Sequence, residues 1–109
     1  MIEVQFKRKP KSLELKVKGH SGSAEVGRDI VCASASTLAY TLAQVCLDDK
    51  DKQLKKPKIR LNEGDAEIIC YPKAECYEEM LFYYRYTQGG YALLEYNFPQ
   101  YVRVKGEIK

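Results

Sequence analysis

One helical segment, with a pair of alternating segments on either side of it, most strongly constrains what this chain can fold into. Between residues 30 and 47 apolar residues recur at the helical period, at positions 31, 35, 38, 42 and 45. Asp29 stands directly before this run, where an N-cap residue is favoured. The small residues at positions 33–36 permit close contact with a sheet. We therefore expect a buried central helix that begins near Asp29.

Alternation of apolar and polar residues predicts strands on both sides of this helix. Residues 2–7 and 13–17 alternate with period two, and the polar stretch between them contains Pro10, which indicates a β-hairpin with a basic tip. Residues 58–62 and 66–71 predict a second hairpin, in which Gly64 supplies a positive φ in the turn.

A second helical pattern runs from about residue 74 to Tyr96. The Gly89-Gly90 pair inside it costs roughly 2 kcal/mol of helix propensity relative to alanine. The periodicity resumes after the pair, so we expect one helix. Pro99 prevents its continuation, and residues 101–105 alternate as a last strand. The order ββαββαβ predicts an α+β fold, a single domain over residues 1–109 with two main helices on a mixed β-sheet.

Composition indicates a soluble protein of ordinary type. The 109 residues are 45% hydrophobic and 30% charged, enough for one domain with a modest core. No apolar run approaches the length of a membrane span, and the N-terminus lacks the apolar segment of a signal peptide. We expect a cytoplasmic protein without a membrane partner.

The net charge of +3 lies largely in two basic segments, residues 7–11 and 50–58. Such segments can bind ribosomal RNA or an acidic protein. The simpler interpretation is that they keep a hairpin and a loop solvated. It is favoured because no aromatic residue is interleaved with these lysines, as single-strand binders require.

The cysteines indicate packing more than metal binding. Cys32, Cys46, Cys70 and Cys76 are irregularly spaced and form no CxxC motif. In a cytosolic protein they are expected to be reduced. We expect Cys46, Cys70 and Cys76 to be small core residues, and no metal or cofactor.

Candidate chemistry is concentrated in residues 19–36, GHSGSAEVGRDIVCASAS. His20, the single histidine, precedes Cys32 by twelve positions, most of which have loop composition. A loop of that length can bring the imidazole beside the thiol. Cys32 would lie about three residues after the N-cap, so the helix dipole and the free backbone N–H groups favour its thiolate.

In such a pair each residue has a defined role. Cys32 would be the nucleophile and His20 the general acid/base that protonates a leaving amine. Backbone N–H groups at the helix start could bind an oxyanion. Asp29 either caps the helix or orients His20, and Ser36 lies within reach, one turn beyond Cys32. The same spacing also fits a structural thiol and a solvent-exposed histidine.

The segment combines Gly19-His20, Gly27-x-Asp29-Ile30-Val31-Cys32-Ala33 and Ser36. This combination resembles the signature of the ribosomal-processing cysteine proteases, which trim ribosomal protein number twenty-seven of the large subunit. The resemblance extends to the opening hairpin, the NEGDA turn, the second helix and the closing segment 98–101, and so covers nearly the whole chain. Ser21 departs from the alanine that usually follows the family's histidine.

The resemblance implies a cysteine endopeptidase with a His20–Cys32 dyad, an α/β fold and a homodimer. The implied substrate is a ribosomal protein precursor, so any contact with nucleic acid would be indirect, through the ribosome. We assign substrate binding to Gly19, Ser21, Gly22 and Gly27. Tyrosines on the second helix exceed the needs of a small core and could form the dimer surface.

Three other functions are compatible with the same residues. The chain could be a non-catalytic ribosome-associated or adaptor module, or a related protease that acts on a phage structural protein. It could also be a thiol redox protein, although Cys46 as resolving cysteine would lie about four turns from Cys32.

Overall fold

Five strands and two long helices make up the described part of the chain. The computed structural model describes residues 1–19 and 28–109, the side chains of Arg28 and Asp29 excepted. The strands are β1 (Ile2–Lys9), β2 (Ser12–Lys18), β3 (Lys58–Asn62), β4 (Asp65–Cys70) and β5 (Val102–Gly106). The helices are α1 (Arg28–Asp48) and α2 (Tyr77–Asn97), with short 3-10 helices at Lys50–Lys52 and Ala74–Cys76. The predicted order ββαββαβ is confirmed.

The strands form one mixed sheet in the order β3-β4-β2-β1-β5. Neighbours are antiparallel except β5, which runs parallel to β1. The register aligns Phe6 with Leu15 and Leu15 with Ile68, so apolar side chains of the three central strands share one face. Both helices pack on that face, where Leu42 of α1 and Tyr84 of α2 join the same core.

Helix α1 begins one residue earlier than the pattern predicts. It starts at Arg28, so Asp29 lies within its first turn and the expected N-cap at Asp29 is wrong. The prediction placed the boundary at the edge of the apolar period, but backbone hydrogen bonding continues upstream of that period. Burial is confined to one face of α1, which includes Val31, Ala35 and Leu42.

The sequence pattern predicted no apolar run that approaches the length of a membrane span. By length and composition alone, however, α1 is long and apolar enough to cross a membrane. Residues Ile30–Asp48 have a mean hydropathy of 1.6. Core helices of soluble proteins satisfy the same criterion, and α1 packs its buried face on the sheet.

Helix α2 continues through Gly89-Gly90 to Asn97, as expected, after a 3-10 turn over Ala74–Cys76. A Cβ on Gly90 would lie 2.7 Å from Leu38 Cδ2, whereas one on Gly89 would meet nothing within 4 Å. Gly90 therefore lets α2 lie close against α1, which accounts for one of the two unfavourable glycines.

The connection from α1 to β3 is more ordered than its polar composition predicts. Gln53 is only 5% exposed. Its amide Nε2 donates to the Cys46 carbonyl at 2.8 Å, and its Oε1 accepts from the Tyr71 N–H at 3.3 Å. One buried side chain thus ties the connection to the end of α1 and to the residue after β4.

The sheet face opposite the helices carries charged pairs. Glu67, in β4, has a side chain that is 7% exposed and is surrounded by Lys58 and Arg60 at 3.1 Å and Lys16 at 3.5 Å. Burial opposes ionisation of this carboxyl, but the hydrogen bonds and charges of the three cations outweigh it and lower the pKa of Glu67.

Candidate active site

Cys32 is the fifth residue of α1 and is half-buried. It therefore lies at the start of the second turn, slightly deeper in the helix than the first-turn position expected from Asp29. Val31 and Ala35 beside it are buried against the sheet, so Cys32 falls at the edge of the buried face. The N–H groups of the first turn of a helix have no acceptor within the helix, and the positive end of its dipole lies there.

Cys32 borders a cleft of about 330 Å³ at one end of the sheet. The cleft is lined by three parts of the fold: the start of β1 and end of β2, one face of α1, and the β3–β4 turn. Its lining residues are Ile2, Val17, Gly19, Cys32, Ala35, Ser36, Ala39, Tyr40, Asn62, Glu63, Gly64, Asp65 and Ala66.

The α1 wall of the cleft follows the helical repeat. Ser36 and Tyr40 come four and eight residues after Cys32, so the three residues lie along one side of the helix. Ala35 and Ala39 leave space between this side and the sheet. The Tyr91 hydroxyl donates to the Ala35 carbonyl at 2.7 Å, and this bond fixes α1 to α2 directly behind the cleft.

Gly19 ends β2 in a conformation that favours glycine. Its φ is +107°, and a Cβ would lie 2.0 Å from the Met1 carbonyl oxygen. Its N–H donates to the Gly64 carbonyl at 3.0 Å, which joins the end of β2 to the β3–β4 turn. The chain thus leaves the sheet at the cleft, one residue before His20 in the sequence.

The β3–β4 turn gives the cleft a polar wall with two carboxylates, Glu63 and Asp65. Gly64 has φ +73°, as the turn pattern predicted. Arg60 donates to both Asp65 oxygens at 3.1 Å and thereby lowers the pKa of Asp65, so this carboxylate is charged near neutral pH. The wall is suited to hydrogen-bond donors on a ligand.

Three of the residues predicted for the site meet at the cleft: Cys32, Ser36 and Gly19. His20, Ser21, Gly22 and Gly27 lie outside the described residues, as does the side chain of Asp29.

Sequence reasoning missed Tyr40 and the β3–β4 turn as walls of the cleft. The i, i+4, i+8 spacing from Cys32 could have revealed Tyr40. The contribution of the turn depends on strand order, which the pattern does not give.

Two other cysteines are in the core, as expected. Cys46 and Cys70 are 0% exposed, and Cys46 Sγ lies 3.8 Å from the Tyr84 hydroxyl. The hydrogen bond with Cys46, together with burial, raises the pKa of Cys70. These thiols are therefore inaccessible to a substrate. Cys76 is half-buried in the 3-10 helix before α2 and does not join the core, so the expectation of a core residue there is wrong. Within residues 1–19 and 28–109, no group of three His, Cys, Asp or Glu side chains is placed to hold a metal ion.

Comparison with known families identifies the family of this chain. The model of the cysteine protease Prp family matches residues 1–102. This chain belongs to that family. It is therefore a cysteine protease by family. No curated protein gives a significant match.

Solved structures share the fold over nearly the full chain. The ribosomal processing protease Prp from S. aureus, in complex with a substrate peptide, gives a TM-score of 0.72 at 18% identity and covers 98% of this chain and 100% of its own. The same protease with a covalently linked product peptide gives 0.70 at 19% identity, with the same coverage. SMU.848 from Streptococcus mutans gives 0.72 at 26% identity, covering 100% of this chain and 96% of its own. The α+β fold is confirmed.

Proposed function

We propose that this chain is an endopeptidase that removes an N-terminal extension from the precursor of ribosomal protein number twenty-seven of the large subunit. The observation that carries the proposal is the placement of Cys32 in a cleft whose opposite wall includes Gly19, the residue bonded to His20. Family membership supports the reaction type. The peptide complexes of the S. aureus protease support a polypeptide as the ligand.

The proposed catalytic pair is Cys32 and His20. The Cys32 thiolate attacks the carbonyl carbon of the scissile bond, and the carbonyl electron pair moves onto oxygen. N–H groups at the start of α1 donate to that oxyanion. The His20 imidazolium gives its proton to the leaving amine as the C–N bond breaks, which leaves a thioester on Cys32. His20 then takes a proton from water as the water attacks the thioester, and the regenerated thiol and a carboxylate are released.

The shape of the cleft supports a peptide substrate over a large rigid one. Ala35, Ser36 and Ala39 form a floor of small side chains, and Tyr40 offers an aromatic wall. A volume of about 330 Å³ accommodates one or two side chains of an extended peptide. The Asn62 amide can donate and accept hydrogen bonds along the peptide backbone, and the Glu63 carboxylate can accept them.

The deciding experiment is incubation of the purified protein with the precursor, followed by mass spectrometry of the precursor's N-terminus. We expect a single new N-terminus and loss of the extension. The Cys32→Ala variant should leave the precursor intact. The matched control is Cys76→Ala, which also replaces a half-buried thiol, and this variant should cleave the precursor normally. An uncut precursor with the wild-type protein would refute the substrate. Cleavage of a phage structural protein instead would favour the alternative protease.

Thiol reactivity distinguishes a protease from a non-catalytic adaptor. Limited alkylation with iodoacetamide at about pH 6, followed by peptide mapping, should label Cys32 before the other three cysteines. An adaptor in which Cys32 only packs would show no preferred cysteine.

We also propose that the protein acts in the cytoplasm as a homodimer. Along one side of α2, four large apolar side chains are 62–83% exposed: Phe82, Tyr86, Leu93 and Tyr96. The rings of Phe82 and Tyr86 stack with centroids 6.2 Å apart. An exposed apolar stripe of this kind suits a self-complementary contact about a twofold axis.

A further inference from the structure

The two basic segments, far apart in sequence, meet at one end of the sheet. The tip of the β1–β2 hairpin and the connection after α1 line two adjoining grooves of about 810 and 570 Å³, which share Lys9, Pro10, Lys11 and Leu54. Arg8 lies on the first groove and Lys55 on the second. We call the joint surface the basic groove.

Backbone and side-chain hydrogen bonds hold the basic groove in shape. The Leu54 N–H donates to the Tyr71 carbonyl at 2.8 Å, and the Tyr77 hydroxyl donates to the Lys9 carbonyl at 2.8 Å. Arg8 Nε donates to the same Tyr77 hydroxyl at 3.2 Å. Three separate parts of the chain are thereby fixed around one surface.

The charge of the basic groove is positive and largely unpaired. Arg8, Lys9, Lys11 and Lys55 line it against a single carboxylate, Glu78. Lys9 pairs with Glu14 at 2.7 Å, but in the described part of the chain Lys11 and Lys55 form no ion pair. A ligand that carries several negative charges along its length would replace the counterions of these side chains.

Aromatic rings stand beside these cations, although none occurs within the basic segments themselves. Lys55 Nζ lies 4.3 Å from the centroid of the Tyr71 ring, and Arg8 Cζ lies 5.3 Å from that of Tyr77. Leu54, which is 63% exposed, adds an apolar surface between them. The fold therefore supplies, from residues after β4, the aromatic component that the sequence of the basic segments lacks.

We propose that the basic groove binds single-stranded nucleic acid. Phosphates would contact Lys11, Lys55 and the neighbouring Arg8 and Lys9, while bases would stack on the tyrosine rings and pack against Leu54. An acidic peptide would use the cations but would gain little from rings placed beside them, so the cation–ring pairs favour nucleic acid. The cleft at Cys32 adjoins Ile2, seven residues from Lys9 on β1, so the two surfaces lie about 23 Å apart. The proposal does not depend on proteolysis.

The test is fluorescence anisotropy with a fluorescein-labelled oligouridylate of about ten nucleotides, titrated with the protein at several salt concentrations. We expect binding at about 50 mM salt, with a slope of log K against log salt between about −2 and −3, as three or four phosphate contacts give. Lys11→Ala combined with Lys55→Ala should weaken binding at least tenfold and make the slope shallower by roughly 1.4. The control, Arg103→Ala with Lys105→Ala, removes the same charge on β5 and should bind as the wild type does.

A second pair of variants tests stacking. Tyr71→Leu should weaken binding about tenfold, whereas Tyr71→Phe, which keeps the ring, should not. Thermal unfolding of both variants verifies that they are folded. The proposal is overturned if the wild type does not bind, if an oligoglutamate peptide binds equally well, or if the Arg103/Lys105 control loses as much affinity as the Lys11/Lys55 variant. Unchanged binding by Tyr71→Leu would likewise refute base stacking and leave only a charged surface.

Discussion

Cys32 and Cys46 lie fourteen residues apart on nearly the same side of α1, yet only Cys32 borders a cleft. The difference comes from what covers the helix at each position. Cys46 is enclosed by the core and lies beside Tyr84, whereas the first turns of α1 face an opening at the end of the sheet. The accessibility of a thiol thus depends on its distance from the helix start as well as on its helical face.

Replacing Cys32 should separate activity from stability. Cys32→Ala and Cys32→Ser change little volume, so we expect melting temperatures close to that of the wild type but a loss of at least about a thousandfold in kcat/KM. Cys46→Ala should do the reverse, keeping turnover while losing about 1 kcal/mol of unfolding free energy. Turnover by a Cys32 variant, or a folded but inactive Cys46 variant, would show that the nucleophile is another residue.

Gly19 combines a positive φ with contact against the Met1 carbonyl, so any side chain is strained there. We expect Gly19→Ala to cost about 2 kcal/mol of stability, and to lower kcat/KM at least tenfold because the backbone at Gly19, the residue bonded to His20, must shift. Thermal unfolding and a peptide cleavage assay measure the two effects.

Gly89→Ala is the matched control, because a Cβ there meets nothing within 4 Å. In the middle of α2 it should stabilise the protein by up to about 1 kcal/mol and leave cleavage unchanged. Equal melting temperatures for the two variants would contradict the strain inferred at Gly19.

At the scale of elements, β4 connects the two faces of the sheet. Ile68 and Cys70 face the helices, while Glu67, directly before Ile68, faces the opposite side and its three cations. This alternation lets one short strand serve the apolar core and a network of charges. An ion-pair network around a poorly exposed carboxylate contributes more to stability than isolated surface ion pairs do, because solvent and salt screen its charges less.

The lowered pKa of Glu67 predicts how stability changes with pH. Because the pKa is lower in the folded than in the unfolded state, the stabilisation is present above the unfolded pKa of about 4.5 and is lost as pH falls through the lower folded value. We expect Glu67→Gln to lower the unfolding free energy by about 1–2 kcal/mol at pH 7 and to reduce the loss of stability between about pH 5 and pH 3.

Urea unfolding at several pH values measures this prediction. The control is Glu75→Gln, which replaces an exposed carboxylate that makes no ion pair within the described residues. It should leave the unfolding free energy at neutral pH unchanged. If the unfolding free energy of Glu67→Gln changes with pH in parallel with that of the wild type, the network does not stabilise the fold through ionised Glu67.

At the scale of the whole molecule, periodicity predicted the elements well because each has one face to bury. The strand pairs, the long helices and their order follow from positions such as Phe6, Leu15 and Leu42, whose spacing is set by the sheet and by the helix. The continuity of α2 through Gly89-Gly90 was also predictable from the resumed period. The site was less predictable. The strand order brings the β3–β4 turn beside Gly19, and no local pattern carries that information.

Two further features depend on tertiary contact alone. The polar composition around Gln53 predicted a solvated loop. Gln53 is buried because its side chain forms hydrogen bonds with Cys46 and Tyr71, and a sequence pattern does not reveal such partners. The basic groove likewise draws its rings from residues outside the basic segments. In each case at least one contact joins residues that are eighteen or more positions apart in the sequence. Such a separation is beyond the range of a periodic pattern.

The exposed stripe on α2 predicts how the whole molecule assembles. Leu93 lies in this stripe and Leu54 lies at the basic groove, and each is 63% exposed. Leu93→Glu would place a charge within the proposed twofold contact, so we expect it to raise the dimer dissociation constant about thirtyfold or more, the effect of a loss of about 2 kcal/mol. Leu54→Glu makes the same chemical change outside the stripe and should leave the constant unchanged.

Sedimentation velocity across a range of protein concentrations measures both constants. Since a Glu side chain at either position extends into solvent, both variants should keep the melting behaviour of the monomer fold. A difference between their dissociation constants would then reflect association alone. A wild-type protein that sediments as a monomer at about 100 μM, or an equal effect of the two substitutions, would show that α2 does not form the contact.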